Sequence, residues 1–360
     1  MRFAFTVRDA RLDIPGGIGT SVFSIASELI GQGHETYVVG LLPSCSTVDL
    51  AQTYGVDPLP QIIEIARSDA PTRPKSVAAW LTRGATILSE LRPDAVVVNG
   101  ALPLRLRYPT IFVSHDLEER GRGNRLSRSL YKRVSYATAS CVAATCSEVQ
   151  AGLASQLGMN RGAISLLPTC VKIARYKPQA LATRTRTVLH IGTTAYKNPC
   201  ASIRAFGEIS DSAASLLITG PPTEDVREAI RVLHPTLREN VEVLGYIPSD
   251  ELISLLGSVR AVSIPSKYDV PVASPTALEA MASATPFLET GSISKDLLGE
   301  ASPDSDVVGS GGLQAAMERL LSDDDYWQAR SEQVRQRAEQ FSAETIASRY
   351  LALVGSLSLT

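Results

Sequence analysis

The sequence predicts an α/β protein made of two doubly wound domains. Short apolar runs alternate with amphipathic helical segments along most of the 360 residues, which is the pattern of successive βαβ units. The pattern occurs once before residue 178 and again after it. Turns rich in glycine or hydroxyl residues follow strands in both halves, at the edge where open parallel sheets bind ligands.

The predicted elements divide into three segments. We expect a first domain at 1–178, a second at 179–342 and a final helix at 343–360. Strands are predicted in the first domain at 2–7, 36–39, 94–98, 110–114, 142–145 and 164–167, with helices at 21–29, 77–91 and 147–157. In the second, strands are predicted at 187–191, 215–218, 241–244, 259–264 and 286–288, with helices at 200–209, 249–256, from 274 onward, 313–321 and 325–340.

Composition excludes several classes of protein. Apolar residues make up 44% of the chain and charged residues 20%, which is ordinary for a globular protein with a sizeable core. A net charge of −2 argues against general nucleic-acid binding. The five cysteines lack the spacing of a metal site, so we expect reduced thiols in a cytoplasmic protein. No apolar run approaches the length of a membrane span, and the chain starts with a strand rather than a signal peptide.

Two turns have the composition of phosphate-binding loops. The first contains Gly16, Gly17 and Gly19 between a strand and a helix, where glycine lets the backbone approach a ligand. A tight turn would explain these glycines equally well. Their spacing is not that of a dinucleotide site, and no acidic residue ends the next strand, which disfavours nicotinamide and flavin cofactors.

The second turn lies in the second half and carries a cation. It joins a glycine, two hydroxyls and a lysine to the start of a helix, a combination suited to a diphosphate. Its members are Gly192, Thr193, Thr194 and Lys197. A surface lysine in an ordinary turn is the alternative.

A third element, the stretch 263–282, contains two acidic residues around a helix start. Ser274 and Pro275 predict an N-cap and a first helical residue, and the amides of such a helix start suit a phosphate. Asp269 and Glu279 flank this start and would repel a phosphate, so we expect them to hold hydroxyl groups of a ribose and a sugar. Structural roles at a loop end and in a helix are the alternative.

This stretch resembles the donor-site signature of retaining family-4 glycosyltransferases, which have the GT-B fold of two facing Rossmann-like domains. The matching residues are Pro265, Ser266, Asp269, the run 278–282, Thr285 and Pro286. The similarity extends over nearly the whole chain, and it implies an interdomain cleft and a C-terminal helix, 343–360, that crosses back to the first domain. Three departures are visible: the loop between Asp269 and Glu279 is longer than usual, Thr169-Cys170 replaces an Asn-Gly pair, and Thr193 replaces an arginine.

The resemblance implies a metal-independent enzyme that transfers a sugar, with retained configuration, from a nucleotide-diphosphate sugar of the UDP or GDP type. The acceptor would be a small molecule, a glycan or a lipid-linked molecule, bound on the side of the first domain, and no cofactor is implied. His115, Lys197 and Asp269 would be catalytic: His115 near the anomeric carbon, Lys197 at the leaving diphosphate and Asp269 on the sugar hydroxyls. Donor-binding residues would be Gly16, Gly17, Gly19, Gly192, Thr193, Thr194, Gly220, Tyr246, Ile247, Ser274, Thr276 and Glu279.

Other interpretations remain open at the level of sequence. A GT-B epimerase or phosphorylase, or a non-catalytic nucleotide-sugar-binding relative, would share these features. The basic stretch from Arg120 to Arg133 is either a solvated surface or a patch for a phosphorylated acceptor or the inner face of a membrane. The acidic clusters at 304–306 and 323–325 lie in a loop and a helix cap, so we do not interpret them as a metal site.

Overall fold

The chain forms two compact units in the computed structural model, which describes residues 1–12, 16–42, 49–67, 80–100, 106–117, 133–267, 270–299 and 312–357. Unit 1 comprises Met1–Cys170 and Ser342–Thr360, and unit 2 comprises Val171–Phe341. The chain therefore passes from one unit to the other between Cys170 and Val171, upstream of position 178, where the sequence analysis places it.

Unit 1 is built on a seven-stranded parallel sheet with the strand order β3-β2-β1-β4-β5-β6-β7. The order reverses at β1, as in doubly wound folds. β4 and β5 are buried at every residue, because helices cover both faces of such a sheet. The strands are Arg2–Arg11 (β1), Glu35–Leu42 (β2), Gln61–Arg67 (β3), Ala95–Asn99 (β4), Thr110–Ser114 (β5), Cys141–Ala144 (β6) and Ile164–Leu166 (β7). The helices are Gly17–Gly31 (α1), Leu50–Tyr54 (α2), Ala85–Leu91 (α3) and Ser147–Leu157 (α4).

Unit 2 repeats this architecture with a five-stranded parallel sheet in the order β10-β9-β8-β11-β12. Its central strand β11 is buried throughout. The strands are Thr185–Ile191 (β8), Ser215–Thr219 (β9), Val241–Gly245 (β10), Val259–Ile264 (β11) and Phe287–Glu289 (β12). The helices are Pro199–Phe206 (α5), Glu224–Arg231 (α6), Pro235–Arg238 (α7), Ser249–Ser258 (α8), Pro275–Ala282 (α9), Lys295–Leu298 (α10), Leu313–Ser322 (α11) and Asp324–Ala338 (α12).

The C-terminal helix Ala343–Leu357 (α13) belongs to the core of unit 1. Its buried residues Ile346, Tyr350 and Val354 join the same apolar cluster as Phe5 of β1. The rings of Phe5 and Tyr350 lie 6.0 Å apart. The final segment thus completes the first unit by apolar burial, although unit 2 separates it from the rest of that unit in sequence.

Several local features differ from the sequence predictions. Strand β3 and helices α2, α6, α7 and α10 are additional elements that the sequence analysis does not predict. A serine at the start of a helical segment predicts an N-cap at Ser147, but Ser147 is the first residue of α4 and Cys146 is its cap, without a side-chain hydrogen bond. In the predicted helix 77–91, a π-helical turn at Trp80–Gly84 precedes α3, and residues 77–79 lie outside the described part of the chain.

Candidate active site

The turn after β8 is held in an unusual backbone conformation. Gly192 has a φ of +92°, which favours glycine, and its amide donates to the carbonyl of Thr219 at 3.1 Å. Thr194 then caps a short 3₁₀ helix, Ala195–Lys197, whose last amide donates to the Thr194 carbonyl at 2.9 Å. The turn and this short helix together fix where the Lys197 side chain starts.

Lys197 extends to the first turn of helix α9. Its Nζ donates to Oγ1 of Thr276 at 3.3 Å. Ser274 is the N-cap of α9, with its Oγ accepting from the Ala277 amide at 3.4 Å, and Pro275 occupies the first helical position, as the sequence predicts. The ammonium group therefore lies beside a helix start, where amides and the helix dipole already favour an anion.

Glu279 lies one turn further along α9 and interacts with Lys197. Burial raises the pKa of Glu279 to about 7, while the charges of Lys197 and Arg175 and a hydrogen bond with Tyr176 oppose this shift. Burial lowers the pKa of Lys197, and the charge of Glu279 opposes that change. The two half-buried groups thus stabilise each other's charged forms, because each is otherwise poorly solvated.

Thr193 and Gly220 are packed against each other beside this turn. Thr193 is buried, and its Oγ1 donates to the carbonyl of Pro221 at 2.7 Å. Gly220 has a φ of +104°, and a Cβ there would lie 2.9 Å from the Thr193 Oγ1. Gly220 is therefore required by local packing, and its backbone amide donates to the carbonyl of Gly245.

The loop after β10 exposes an aromatic side chain. Tyr246 is 76% exposed, although aromatic side chains usually bury much of their surface. Ile247, the next residue, is half-buried. A role for the backbone of these two residues in binding a nucleotide base stays a prediction.

The glycines of the first turn differ in their surroundings. Gly16 is the exposed N-cap of α1, and a Cβ on it would meet nothing within 4 Å. Gly17, the first residue of the helix, is half-buried. At Gly19 a Cβ would lie 2.8 Å from the hydroxyl of buried Tyr54, so packing alone requires this glycine. Contact of Gly16 and Gly17 with a donor or acceptor stays a prediction.

His115, directly after β5, is oriented by a side chain from the neighbouring strand. Its Nε2 lies 2.8 Å from Oδ1 of Asn99, and the Nδ2 of Asn99 donates to the carbonyl of Thr6 at 3.2 Å. Because Nδ2 must face that carbonyl, Oδ1 faces the imidazole and Nε2 carries the proton. Burial lowers the pKa of His115 to about 4, so the ring is neutral at pH 7 and Nδ1 holds its lone pair.

Some predicted residues lie outside the described part of the chain. These are Asp269, residues 120–132 of the basic stretch and the acidic cluster 304–306; of that stretch, only Arg133 is described. In the parts of the chain that are described, no group of three His, Cys, Asp or Glu side chains is placed to hold a metal ion. None of the described helices combines the length and apolar character needed to cross a bilayer.

The structure adds three residues to the candidate site. Asn99 orients His115, while Arg175 and Tyr176 act on Glu279. Arg175 also donates to Oδ1 of Asp250 at 3.0 Å. The available sequence signal for Asn99 was its place at the end of a buried strand next to the strand that precedes His115.

Solved structures share this fold over almost their full length. Sucrose-phosphate synthase from Thermosynechococcus elongatus matches 99% of this chain and 99% of its own, with a TM-score of 0.78 and 16% identity. For a glycosyltransferase from Rickettsia africae ESF-5, the match covers 99% of this chain and 98% of the other, with a TM-score of 0.73 and 16% identity. For Anabaena HepE, in complex with UDP and glucose, the match covers 99% of this chain and 100% of the other, with a TM-score of 0.72 and 14% identity.

Two protein families match successive segments of the sequence. Glycosyltransferase Family 4 matches residues 15–175, and Glycosyl transferases group 1 matches residues 185–323. No curated protein matches the chain in sequence. The first match lies almost entirely in unit 1 and the second entirely in unit 2. The chain is therefore a family-4 glycosyltransferase with the two-domain, Rossmann-like GT-B fold.

Proposed function

We propose that this glycosyltransferase takes its sugar from a nucleotide-diphosphate donor, transfers it with retained configuration, and stabilises the departing diphosphate without a metal ion. The observation that carries the proposal is the 3.3 Å contact between Lys197 Nζ and Thr276 Oγ1. It brings a half-buried cation to the first turn of α9, where the positive end of the helix dipole lies. When the bond between the anomeric carbon of the sugar and the phosphate oxygen breaks, negative charge develops on that oxygen. A preorganised cation and a helix dipole stabilise this charge.

Glu279 suits the ribose of the donor. Its carboxylate is kept ionisable by Lys197, Arg175 and Tyr176, although burial raises its pKa to about 7. A carboxylate accepts hydrogen bonds from two vicinal hydroxyls, and it would repel the phosphates. We therefore assign Glu279 to the ribose, and we assign Asp269 to the hydroxyls of the donor sugar.

His115 is proposed to act near the anomeric carbon as a neutral imidazole. Its Nε2 proton is engaged by Asn99, so Nδ1 is the atom left for the substrates. A lone pair at Nδ1 accepts a hydrogen bond from a sugar hydroxyl or from the attacking hydroxyl of the acceptor. No described residue is assigned as a covalent nucleophile, and we propose that the leaving phosphate itself assists the acceptor.

A UDP-type donor is the first to test, since the similar HepE structure holds UDP and glucose. The acceptor is proposed to be a small molecule, a glycan or a lipid-linked molecule. Contact with a membrane surface through the basic stretch 120–133 stays a prediction.

The experiment has two stages. Thermal unfolding is first measured with UDP-, GDP- and dTDP-sugars, because a true donor raises the melting temperature by mass action. The selected donor is then incubated with a panel of acceptors, and release of the nucleoside diphosphate is followed with and without EDTA. Release of the nucleoside diphosphate only when acceptor is present, at a rate that EDTA does not change, supports the proposal. The coupling constant of the anomeric proton in the product shows whether the configuration is retained.

Four outcomes would contradict it. Release without acceptor would indicate an epimerase or hydrolase-like reaction, and loss of activity in EDTA restored by a divalent ion would contradict metal independence. Inverted anomeric configuration would contradict retention. Donor binding without turnover on any acceptor would favour a non-catalytic relative.

A further inference from the structure

A fully buried histidine lies directly beneath the turn that carries Lys197. His190 is on β8, two residues before Gly192, and only 1% of its surface is exposed. Its Nε2 lies 2.9 Å from the carbonyl oxygen of Gly192. Its Nδ1 lies 2.9 Å from Oγ of Ser202 on α5. Because each ring nitrogen has a partner, the buried ring is fully hydrogen-bonded and restrains the groups that it contacts.

The hydrogens in this cluster have one consistent arrangement. A carbonyl oxygen only accepts, so Nε2 of His190 carries the proton and donates to Gly192. Burial lowers the pKa of His190 to about 4, and the ring is therefore neutral with Nδ1 as an acceptor. Ser202 then donates to Nδ1 and accepts from Ser263, whose Oγ lies 2.7 Å away on β11.

The cluster connects three elements under one turn. Ser263 comes from β11, Ser202 from α5 and His190 from β8, and both serines are buried. Gly192 is consequently held on both sides: its amide donates to Thr219 and its carbonyl accepts from His190. With a φ of +92° this residue could otherwise exchange among several backbone conformations.

The conformation of Gly192 determines the path of the Lys197 side chain. A Cβ built on Gly192 would lie 3.5 Å from the Cγ of Lys197, so the aliphatic part of the lysine runs along this glycine. A rotation of the Gly192 peptide would displace the lysine stem from the direction in which Nζ reaches Thr276. Restraining that peptide therefore restrains the cation.

We propose that His190 is a positioning residue, which holds the Gly192 turn so that Lys197 lies preorganised at the start of α9 for the donor diphosphate. The inference rests on the proposed function, since it assigns Lys197 to that diphosphate. His190 itself does not touch the substrate; it acts through the Gly192 carbonyl and Lys197.

A double-mutant cycle tests this role, with UDP and GDP as the probes and the dissociation constant measured by calorimetry. His190→Leu removes the donor to Gly192 at similar volume, whereas His190→Gln keeps an N–H near the position of Nε2. We expect about tenfold weaker binding for His190→Leu and recovery to within about threefold for His190→Gln. In a Lys197→Ala background, His190→Leu should weaken binding no further, because its effect passes through the lysine.

The outcomes separate the two proposals. If Lys197→Ala binds both nucleotides as the wild type does, or if the wild type binds neither, the assignment of the diphosphate site to Lys197 is wrong. The role of His190, which depends on that assignment, is then wrong as well. If Lys197→Ala weakens binding but His190→Leu does not, only the role of His190 is overturned. The same holds if the effect of His190→Leu adds fully to the effect of Lys197→Ala in the double variant, because a general loss of packing would give that additive result.

A spectroscopic measurement needs no variant and covers the case in which His190→Leu fails to fold. In the ¹⁵N-histidine-labelled wild type, the ring of His190 should show a protonated Nε2 and an unprotonated Nδ1 at pH 7. Addition of UDP or GDP should shift these resonances without changing the tautomer. A ring protonated at Nδ1, or one whose resonances do not respond to a nucleotide that binds, would overturn the inference.

Discussion

The Nζ of Lys197 donates to Oγ1 of Thr276 at 3.3 Å, which joins the turn after β8 to the first turn of α9. The two residues come from βα connections at neighbouring strands, since β8 pairs with β11 in the sheet of unit 2. Parallel pairing brings the carboxyl ends of these strands to one edge. A cation and a helix start that are far apart in sequence thereby lie side by side, in the arrangement that we propose binds the donor diphosphate.

Removal of the Lys197 charge should mainly reduce turnover. We expect Lys197→Ala to lower kcat by about a hundredfold, because a cation that stabilises the leaving diphosphate acts most strongly in the transition state. Lys177→Ala is the matched control: Lys177 is an exposed lysine of the same unit. Steady-state kinetics with the selected donor and acceptor provide the measurement, and equal kcat values for the two variants would contradict the assignment.

The ionisation of Glu279 should control nucleotide affinity near neutral pH. Its pKa is raised to about 7, so about nine tenths of the carboxyl groups are protonated at pH 6 and about one tenth at pH 8. Ribose hydroxyls donate better to the carboxylate, and affinity should therefore increase as the pH rises through 7. We expect the dissociation constant of UDP or GDP to fall by up to about tenfold between pH 6 and pH 8.

Glu279→Gln serves as the control for that pH dependence. It retains the shape of the side chain and removes its titration, so any remaining pH dependence belongs to the phosphates of the nucleotide. Above pH 8, the dissociation constants of the wild type and of Glu279→Gln should change with pH by the same amount. Identical profiles for the two proteins from pH 6 to pH 8 would show that Glu279 does not face the nucleotide.

A carboxylate at position 99 should change the protonation of His115. In Asn99→Asp the new carboxylate would lie near 2.8 Å from Nε2 and favour the imidazolium, so the pKa of His115 should rise well above its value of about 4. An NMR titration of the His115 ring provides the measurement, with Asn160→Asp, at an exposed asparagine of the same unit, as the control. An unchanged His115 pKa in Asn99→Asp would exclude the contact.

The positive φ at Gly220 predicts a strong effect of a small substitution. Gly220→Ala adds a Cβ that would meet Thr193 Oγ1 at 2.9 Å in a left-handed conformation, so we expect a loss of about 2 kcal/mol in the free energy of unfolding. Gly31→Ala is the control, because a Cβ there meets nothing within 4 Å in the last turn of α1. Chemical denaturation of both variants gives the comparison; equal stability would contradict the packing of Thr193 on Gly220.

Much of the fold was predictable because most core strands are buried on both faces. Strands β4, β5 and β11 are mostly apolar and buried at every residue, as is typical of the inner strands of parallel sheets. The edge strand β3 was missed because exposed and half-buried residues, including Gln61 and Glu64, interrupt its apolar pattern. It pairs only with β2, and its position depends on that partner rather than on its own sequence.

The candidate site was predictable where a motif is local. The cap at Ser274 and the turn at Gly192 carry their own signals, since φ preference and helix-start chemistry act over a few residues. Asn99 and Tyr176 were missed because their roles arise from contacts across the fold. Asn99 lies on the strand beside His115, and Tyr176 contacts Glu279 from the segment between β7 and β8, where the sequence analysis predicts neither a strand nor a helix.

The most direct measurement of the central claim compares a nucleoside with its diphosphate on the wild type and on Lys197→Ala. Calorimetric titrations with UDP and uridine, and with GDP and guanosine, separate the diphosphate contribution from that of the base and ribose. The wild type should bind one diphosphate much more tightly than its nucleoside, and Lys197→Ala should lose most of that difference while its nucleoside affinity stays the same. A difference that persists in full in Lys197→Ala would contradict the placement of the diphosphate at Lys197 and the start of α9.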